Sequence, residues 1–381
     1  MAARQVLGNA ALPANLTYLL SSSARLEPMA DYGLLFSQRD QQVHRLNATS
    51  AVMANILGAG ATSGELAAEL GDRGVAPATA ASWVEAFLER LSDLALLEAE
   101  VPGAQCQGVL SEHLRVAGID LAIDYSSDEL LHLIGPSFAH LKVDPKPANL
   151  RYRLASVPGW VLIDKGEARA CVFKAATAAV RLKGFILDHV IRSELHLAAF
   201  HAACLRRDEG AVLLLGSPGA GKTTLSLALL SRGYDYGSDD VTLLTREGLM
   251  WGASLAPAVK ESGWELAGAM GTDLAGLETH LRPDGQRVRF PLVPKSKLAS
   301  ASAVRAIVQL RRTAGEDARL NRIAPEQALG ALLRESLSPG GECSTEIMRN
   351  LASIVRHADC FELTYSDARD AAGVIAGNDC A

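Results

Sequence analysis

The sequence predicts a mixed α/β fold in two parts, and three observations lead to this prediction. Near the N-terminus, apolar residues recur at helical spacing directly after two short strand-like runs. Beyond residue 110, short apolar runs alternate with polar turns, which is typical of strands between loops. A strand, a glycine-rich loop, a helix and a strand then follow one another. We therefore expect a lead-in or a short edge element over 1–31, a winged-helix-like unit over 32–104 and an α/β unit over 112–381.

Composition excludes several classes of protein. The chain has 381 residues, 49% of them hydrophobic and 21% charged, so it can bury large cores and is not disordered. The net charge of −6 gives no basic surplus for a nucleic-acid surface. Six scattered cysteines with no C-x-x-C pair indicate a reducing compartment. Apolar stretches are too short for a membrane span, and we expect a cytoplasmic protein that binds no membrane.

The first unit begins with a hairpin and continues with three helices. Strand-like runs over Leu34–Ser37 and Gln42–Leu46 flank a polar turn. Asn47 is a candidate N-cap for the first helix, and Thr62 with Glu65 forms a capping-box pattern at the start of the second. A longer helix follows, with its apolar residues on one face. A hairpin with three helices is typical of a winged-helix-like unit.

The second unit opens with strands and a helix. Runs such as LRVAGIDLAI, WVLID and ACVFKA predict strands, and TAAVRLKGFILDHVIR predicts a helix that leads into a further strand. Pro102 and Gly103 interrupt the regular pattern, and we place the boundary between the two units near 104–111.

A phosphate-binding loop is the strongest signal in the chain. The segment GSPGAGKT fits G-x-x-x-x-G-K-[ST] between a buried strand over 212–215 and an apolar helix over 224–230. Backbone N–H groups of such a loop cradle phosphates, the lysine reaches the β- and γ-phosphates, and the threonine hydroxyl is a ligand for Mg²⁺. The alternative is a glycine-rich turn with a surface lysine. The nucleotide-binding residues predicted are Gly216, Ser217, Pro218, Gly219, Ala220, Gly221, Lys222, Thr223 and Thr224.

Paired carboxylates follow one helix and one turn later. Asp239 and Asp240 repel each other unless a cation or proton intervenes, and the Mg²⁺ of a bound nucleotide would supply that cation. One aspartate would orient the metal and the other would accept the proton of an attacking hydroxyl. The alternative is a solvated turn. The pair precedes the apolar run over 241–244, whereas the Walker B aspartate of motors and GTPases ends its strand.

These residues resemble the HPr kinase/phosphorylase superfamily, which includes ATP-dependent phosphoenolpyruvate carboxykinase. FHAACL with His201, AVLLLGSPGAGKTTLSLALL and SRGYDYGSDDVTLL carry the resemblance, which covers 112–376. It implies a P-loop kinase fold and Mg-ATP as phosphoryl donor. Asp239 would deprotonate the acceptor serine, Asp240 would be the metal-side partner beside Thr223, and His201 would lie near the phosphates with Lys222. Read alone, a single histidine beside a strand is more often a packed or capping residue.

The chain departs from HPr kinases in two places. Pro218 stands where they have Ser followed by Gly, and their glycine-rich signature segment is absent. Phosphorylation of that phosphocarrier protein and the reverse phosphorolysis are therefore not carried over. Lys260 and Arg289, with Lys295, are candidates for an acceptor-side basic patch, and a surface role is the alternative for each.

Residues 32–104 resemble a PqqD-type domain, the fold of recognition elements for ribosomally made precursor peptides. VHRLNATSAVMANILGAGATSGELAAELGD and VEAFLERLSDLALLE carry this resemblance. It implies that a leader peptide adds as a strand to the sheet edge, between the hairpin and the helix bearing Trp83, Phe87 and Arg90. Ordinary core or solvated positions are the alternative for these three. The helices carry few basic residues, which disfavours DNA binding.

Both modules in one chain predict a kinase that phosphorylates a Ser or Thr of a ribosomal precursor peptide held by its first domain, with ATP and Mg²⁺. Two alternatives stay open. One is a nucleotide-gated module that binds peptide without phosphotransfer, and the other is a kinase for serine or a similar small molecule. A homo-oligomer is possible by analogy with HPr kinases.

Overall fold

The computed structural model describes residues 11–39, 41–100, 110–166, 169–208, 210–337 and 343–378. The boundary expected near 104–111 lies mostly outside these ranges, as do Cys106 and Cys380. Within them the protein is a mixed α/β molecule of several sheets, as expected for its fold class. No helix in the described ranges is long and apolar enough to span a membrane.

The strands are, in chain order, β1 Tyr18–Leu20, β2 Ala24–Pro28, β3 Tyr32–Ser37, β4 Gln42–Asn47, β5 Leu97–Glu100, β6 Leu110–Val116, β7 Ile119–Tyr125, β8 Leu150–Val157, β9 Trp160–Asp164, β10 Arg169–Lys174, β11 His196–Phe200, β12 Ala203–Arg207, β13 Gly210–Leu215, β14 Asp235–Ser238, β15 Thr242–Thr245, β16 Met250–Gly252, β17 Val259–Lys260, β18 His280–Leu281, β19 Arg287–Arg289, β20 Ala303–Arg312, β21 Arg319–Arg322 and β22 Asp359–Tyr365. The helices are α1 Ala48–Leu57, α2 Ser63–Asp72, α3 Pro77–Asp93, α4 Asp128–Ile134, α5 Ala175–Arg192, α6 Lys222–Leu230, α7 Trp264–Ala269, α8 Pro325–Arg334, α9 Thr345–His357 and α10 Ala368–Asn378.

The N-terminal hairpin and its three helices are confirmed. Strands β3 and β4 pair antiparallel, and β2 adds to the outer side of β3. The Asn47 side chain caps α1 by accepting from the Ser50 N–H at 2.8 Å. Thr62 and Glu65 form the reciprocal capping box of α2. Polar side chains that satisfy the first N–H groups therefore set where both helices begin.

A seven-stranded sheet crosses the expected domain boundary. Its order is β1-β5-β10-β9-β8-β7-β6, so β5 of the first unit pairs antiparallel with β10 of the second. Strands β1 and β2 lie in the segment 1–31, and β1 pairs with β5. The described part of 1–31 therefore contains short edge strands, which was the alternative to a lead-in. One apolar core joins Leu88 of α3 to Trp160 and Val172 of this sheet.

A six-stranded sheet carries the phosphate-binding loop. Its order is β14-β12-β13-β20-β22-β21, in which β13, β20 and β22 are parallel neighbours. Strands β13 and β14 are both antiparallel to β12 and therefore run in the same direction. Their carboxyl ends meet at one edge of the sheet, which brings the segments after Leu215 and Ser238 together.

Candidate functional site

The loop 216–221 joins β13 to α6, as predicted for a phosphate-binding loop. Ser217, Pro218 and Gly219 form its exposed crest, whereas Ala220 is buried. Among the described residues, the N–H groups of the segment 221–224 donate to no hydrogen-bond acceptor. Unpaired donors at the start of a helix form a site for an oxyanion. The backbone N–H groups from Gly221 to Thr224 thus form a row of donors that suits a phosphate.

Gly221 has to be glycine for two reasons. Its φ is +95°, in the left-handed region that side chains disfavour. A Cβ at this position would also lie 2.5 Å from the hydroxyl oxygen of Tyr365, which donates to the carbonyl of Ala220. The loop therefore rests on a tyrosine from the end of β22, and this contact fixes its height above the sheet.

Lys222 lies inside the loop. The side chain is buried, and its Nζ donates to the carbonyl oxygen of Gly216. Burial lowers the pKa of Lys222, while the nearby charges of Glu335, Asp240 and Asp239 oppose that shift. The ammonium group thus faces an acidic cluster across the loop, in the position expected for a lysine that contacts nucleotide phosphates.

Asp239 faces the loop and is 5% exposed. Asp239 directly follows β14. The pair of Asp239 and Asp240 was expected only to precede a strand, but it lies between the end of β14 and the start of β15. Its Oδ2 accepts from the Thr223 hydroxyl at 2.8 Å, and its Oδ1 lies 2.8 Å from the Tyr236 hydroxyl. Burial raises the pKa of Asp239, and neighbouring Asp240 raises it further, against the charge of Lys183. A carboxylate beside the P-loop threonine suits Mg²⁺.

Asp240 has different surroundings. Its side chain is 48% exposed, and its Oδ1 lies 3.2 Å from Nε2 of His201. Burial of the carboxyl group raises the pKa of Asp240, but the hydrogen bond from His201 and the charges of Lys183 and Lys222 bring it below its ordinary value. The Ser238 hydroxyl accepts from the N–H of Asp240 at 3.0 Å and fixes the turn. The two adjacent carboxylates therefore have pKa values that are shifted in opposite directions.

His201 links Asp240 to a third acid. The ring Nδ1 of His201 lies 3.2 Å from Oε2 of Glu335. The backbone N–H of His201 donates to the backbone carbonyl of Glu335 at 2.7 Å. The hydrogen bond to Asp240 raises the pKa of His201, with burial and Lys222 opposing. Both ring nitrogens donate only in the imidazolium, which explains why two carboxylates favour the charged form.

Lys183 of α5 is a cation that sequence patterns did not indicate. Its Nζ donates to the Ala256 carbonyl at 2.7 Å, next to the Leu255 carbonyl, which lies 2.9 Å from the Tyr236 hydroxyl. The charge of Lys183 lowers the pKa values of both Asp239 and Asp240. The Lys183 charge therefore favours the ionised form of both aspartates.

The three acceptor-side candidates lie on other elements. Arg289 of β19 donates to Thr279 Oγ1 at 3.1 Å, and its guanidinium lies 4.1 Å from the Trp264 ring centre. Lys260 is exposed on β17, which pairs with β19. Lys295 donates to the Lys142 carbonyl. Within the described ranges, none of these hydrogen bonds or ring contacts joins the loop or the aspartates, and a role toward an acceptor stays a prediction.

A groove lies in the first unit, where the sequence predicts peptide binding. It measures about 620 Å³ between β4 and α3. Strand β4 is an edge strand of the sheet β2-β3-β4. Val43 on this strand is 61% exposed and Trp83 on α3 is 45% exposed, although both are large and apolar. Phe87 is buried at the groove floor, and Arg90 is exposed at its wall. An open sheet edge beside exposed apolar side chains suits an added strand.

Comparison with known proteins gives little. No protein-family profile matches the chain, and no curated protein matches it. Among solved structures it is similar to the Hpr(Ser) kinase/phosphatase from Coxiella burnetii, at 12% identity and a TM-score of 0.23. That likeness covers 48% of this chain and 96% of the other. A likeness this distant supports no statement about the fold or activity of this chain.

Proposed function

We propose that the protein is an ATP-dependent phosphotransferase that phosphorylates a Ser or Thr hydroxyl of a peptide captured by its N-terminal groove. One observation carries the proposal: Asp239 accepts from the P-loop Thr223 hydroxyl at 2.8 Å, with the Asp240–His201 pair beside it. A loop that binds phosphates, a metal-side carboxylate and a second carboxylate that can accept a proton are the parts that phosphoryl transfer needs. The resemblance to HPr kinases in sequence adds to this.

The residues present fit Mg-ATP. The free N–H groups of 221–224 and the Lys222 ammonium suit the phosphate oxygens, and the Thr223 hydroxyl with Asp239 suits the metal. Among the described residues, no cluster of three His, Cys, Asp or Glu side chains could hold a metal ion by itself. A metal that arrives with the nucleotide and is held mainly by phosphate oxygens agrees with so few protein ligands.

The geometry favours exchanging the two aspartate roles suggested by the resemblance. Asp239 is buried against Thr223, so it is the better metal-side residue. Asp240 is half exposed and hydrogen-bonded to His201, so it is the better proton acceptor for an incoming hydroxyl. Glu335 holds the imidazole from its other side. The imidazolium between Asp240 and Glu335 would keep Asp240 ionised and ready to accept the proton of the hydroxyl.

The proposed step balances as follows. Asp240 takes the proton of the acceptor hydroxyl while that oxygen forms a bond to the γ-phosphorus. The bond between this phosphorus and the oxygen bridging it to the β-phosphate breaks, and the electron pair leaves with ADP. Lys222 and the loop N–H groups stabilise the charge that moves onto the phosphate oxygens. His201, held as imidazolium by Glu335 and Asp240, keeps Asp240 ionised and oriented for the proton.

The groove between β4 and α3 supports a peptide as the class of substrate. A leader peptide paired with β4 and packed on Trp83 would hold its remaining segment near the kinase unit. Tethering raises the effective concentration of the acceptor hydroxyl, so the chemical site needs no tight pocket of its own.

The test is transfer of label from γ-labelled ATP to a precursor peptide, which is first sought among short open reading frames next to the gene. Wild type should label the peptide in a Mg²⁺-dependent way. Asp240→Asn should lose at least about a thousandfold in rate while it keeps ATP affinity, and Asp239→Asn should shift the Mg²⁺ dependence. Asp284→Asn, an exposed carboxylate paired with Arg282, is the matched control and should transfer normally.

Three results would contradict the proposal. Equal labelling by wild type and Asp240→Asn would remove the proton-acceptor role. Peptide affinity that changes with ATP, without any transfer, would support a nucleotide-gated binding module instead. Transfer to free serine but not to peptide would support a small-molecule kinase.

A further inference from the structure

The groove between β4 and α3 differs in charge from the unit that contains it. Residues 32–104 carry nine carboxylates against four arginines and no lysine, so the unit is acidic. The fixed charges in the groove lining are Arg45 and Arg90, and no aspartate or glutamate that the structure describes belongs to that lining. A negatively charged ligand would therefore be attracted to the groove and repelled by most of the surrounding surface.

Arg90 is placed to contact a ligand in the groove. It lies on α3 on the same helix face as Trp83 and Phe87, because residues three, four and seven positions apart lie on one side of a helix. Its side chain is exposed and forms no ion pair within the part of the chain that the structure describes. The neighbouring Glu89 is already paired with Lys174 at 3.2 Å. The guanidinium N–H groups of Arg90 are thus open to a carboxylate from outside.

Arg45 lies on the outer side of the groove. Its guanidinium carbon is 4.7 Å from the Tyr32 ring centre, so the side chain lies against the outer face of the hairpin. Val43 shares this face, whereas Leu46 packs on the core beneath the sheet, because side chains alternate along a strand. A peptide strand beside β4 would likewise alternate, with one set of side chains toward α3 and the other toward Arg45.

Several acids lie near the two arginines without lining the groove. The nearest in sequence or strand register, besides Glu89, are Glu27, Asp31, Glu85 and Asp93. Among the described residues, none of these four forms an ion pair with either arginine. Exposed charges are largely screened beyond about 10 Å at 0.1 M salt, so the arginines of the wall dominate for a peptide in contact with them. Asp40 lies outside the described residues, and the charge preference measured below includes its effect.

The dimensions of the groove set the spacing of a bound peptide. The lining follows β4 over 43–47, about 14 Å of strand, and α3 over 83–94, about 16 Å of helix. An extended peptide beside β4 therefore passes Trp83, Phe87 and Arg90 in turn. Arg90 lies about 7.5 Å along α3 from the midpoint of the two aromatic residues, and two residues of a strand span about 6.8 Å. A side chain two residues from one seated on the aromatic pair would thus face Arg90.

We propose that the groove selects an acidic strand. The peptide pairs with β4, seats an apolar side chain between Trp83 and Phe87, and places a carboxylate at Arg90 two residues away. Two parallel N–H groups of the guanidinium match the two oxygens of that carboxylate. Arg45 attracts further acidic side chains on the outer face, and the acidic unit disfavours basic peptides. This inference rests on the peptide capture in the proposed function and specifies the chemistry of the captured segment.

Fluorescence anisotropy with the full chain tests the inference. The probes are labelled twelve-residue peptides of Ser, Thr and Val that carry one Leu and, two residues away, Asp, Asn or Lys. One series has this residue after the Leu and the other has it before, because an edge strand can pair in either direction. In at least one series the Asp peptide should bind about threefold or more tightly than the Asn peptide and about tenfold or more tightly than the Lys peptide. The preference should shrink as salt rises from about 0.05 M to about 0.5 M.

Two arginine variants locate the effect. Arg90→Gln changes an exposed side chain, so the fold should persist. It should remove the difference between Asp and Asn peptides and leave affinity for the Asn peptide within about twofold. Arg73→Gln, an exposed arginine paired with Glu69 outside the groove, is the charge-matched control and should keep the full preference.

Four results would overturn the inference: no binding by any probe, equal binding of the Asp, Asn and Lys peptides in both series, tighter binding of the Lys peptide, or an Asp preference that persists in Arg90→Gln. The assay contains no ATP, so failure of phosphotransfer changes none of its results. Probes that bind without a preference for acid overturn this inference alone and leave the proposed function standing.

Discussion

At the scale of single residues, neighbouring aspartates acquire different chemistry from their partners. Burial raises the pKa of Asp239 even though two hydroxyl donors act to lower it, while the hydrogen bond from the His201 imidazolium helps to bring the pKa of Asp240 below its ordinary value. Like charges one residue apart are tolerated because Lys183, Lys222 and His201 lie around them. The division of roles proposed above follows from these surroundings, since the two side chains are chemically identical.

The His201–Asp240 pair predicts a pH dependence. The folded-state pKa of His201 is raised, so the pair stabilises the fold fully below the ordinary value of about 6.5 and loses this effect as pH rises through the raised value. Asp240→Asn should therefore reduce the free energy of unfolding more at about pH 5.5 than at about pH 9. NMR titration should show the His201 pKa falling in this variant and unchanged in Asp284→Asn. A His201 pKa below 6.5 in wild type would contradict the geometry.

Two loop glycines give a matched pair of variants. Gly219 and Gly221 both have positive φ, but a Cβ at Gly219 would meet nothing within 4 Å. Gly219→Ala should cost only the backbone strain, about 1 kcal/mol of unfolding free energy. Gly221→Ala should cost more and weaken ATP binding strongly, because its methyl group would press on the Tyr365 hydroxyl. Urea unfolding and ATP calorimetry measure both effects, and equal losses in the two variants would refute the Tyr365 contact.

At the scale of elements, the groove between β4 and α3 predicts where a peptide binds. Trp83→Ala should weaken peptide affinity at least about tenfold, because an exposed indole supplies much of the contact area in such grooves. The fold should keep its stability, since the side chain is half exposed. Glu85→Ala, exposed on the same helix and outside the groove lining, should bind like wild type. Fluorescence anisotropy with a labelled leader peptide measures this, and equal affinities would exclude the groove.

At the scale of the whole molecule, the seven-stranded sheet joins the two units that the sequence predicts to be separate. Strand β5 covers the edge of β10, and α3 covers Trp160 and Val172. A fragment over 112–381 would expose this edge and apolar face, so it should aggregate or unfold at lower urea than a chain over 11–381. Size-exclusion chromatography and urea unfolding measure this. A monomeric fragment of unchanged stability would show that the units are independent.

Local chemistry explains what the sequence could predict. The P-loop, the Asn47 cap and the Thr62–Glu65 capping box each depend on residues a few positions apart, so the pattern specifies the structure. The hairpin over β3 and β4 was predictable for the same reason.

Long-range contacts explain what the sequence could not predict. Glu335 meets His201 across 134 positions, and Lys183 reaches the aspartates only because α5 packs beside the segment 254–256. The pairing of β5 with β10 bridges the expected boundary and depends on sheet order. The contact between Tyr236 and Asp239 joins residues only three positions apart, but no sequence pattern indicated it.

The most direct measurement of the central claim is mass spectrometry of the precursor peptide after incubation with Mg²⁺ and ATP. We expect a single added phosphate on a Ser or Thr with wild type, and an unmodified peptide with Asp240→Asn at ATP concentrations that saturate both proteins. An unmodified peptide with wild type, under conditions where ATP and peptide are both bound, would contradict it.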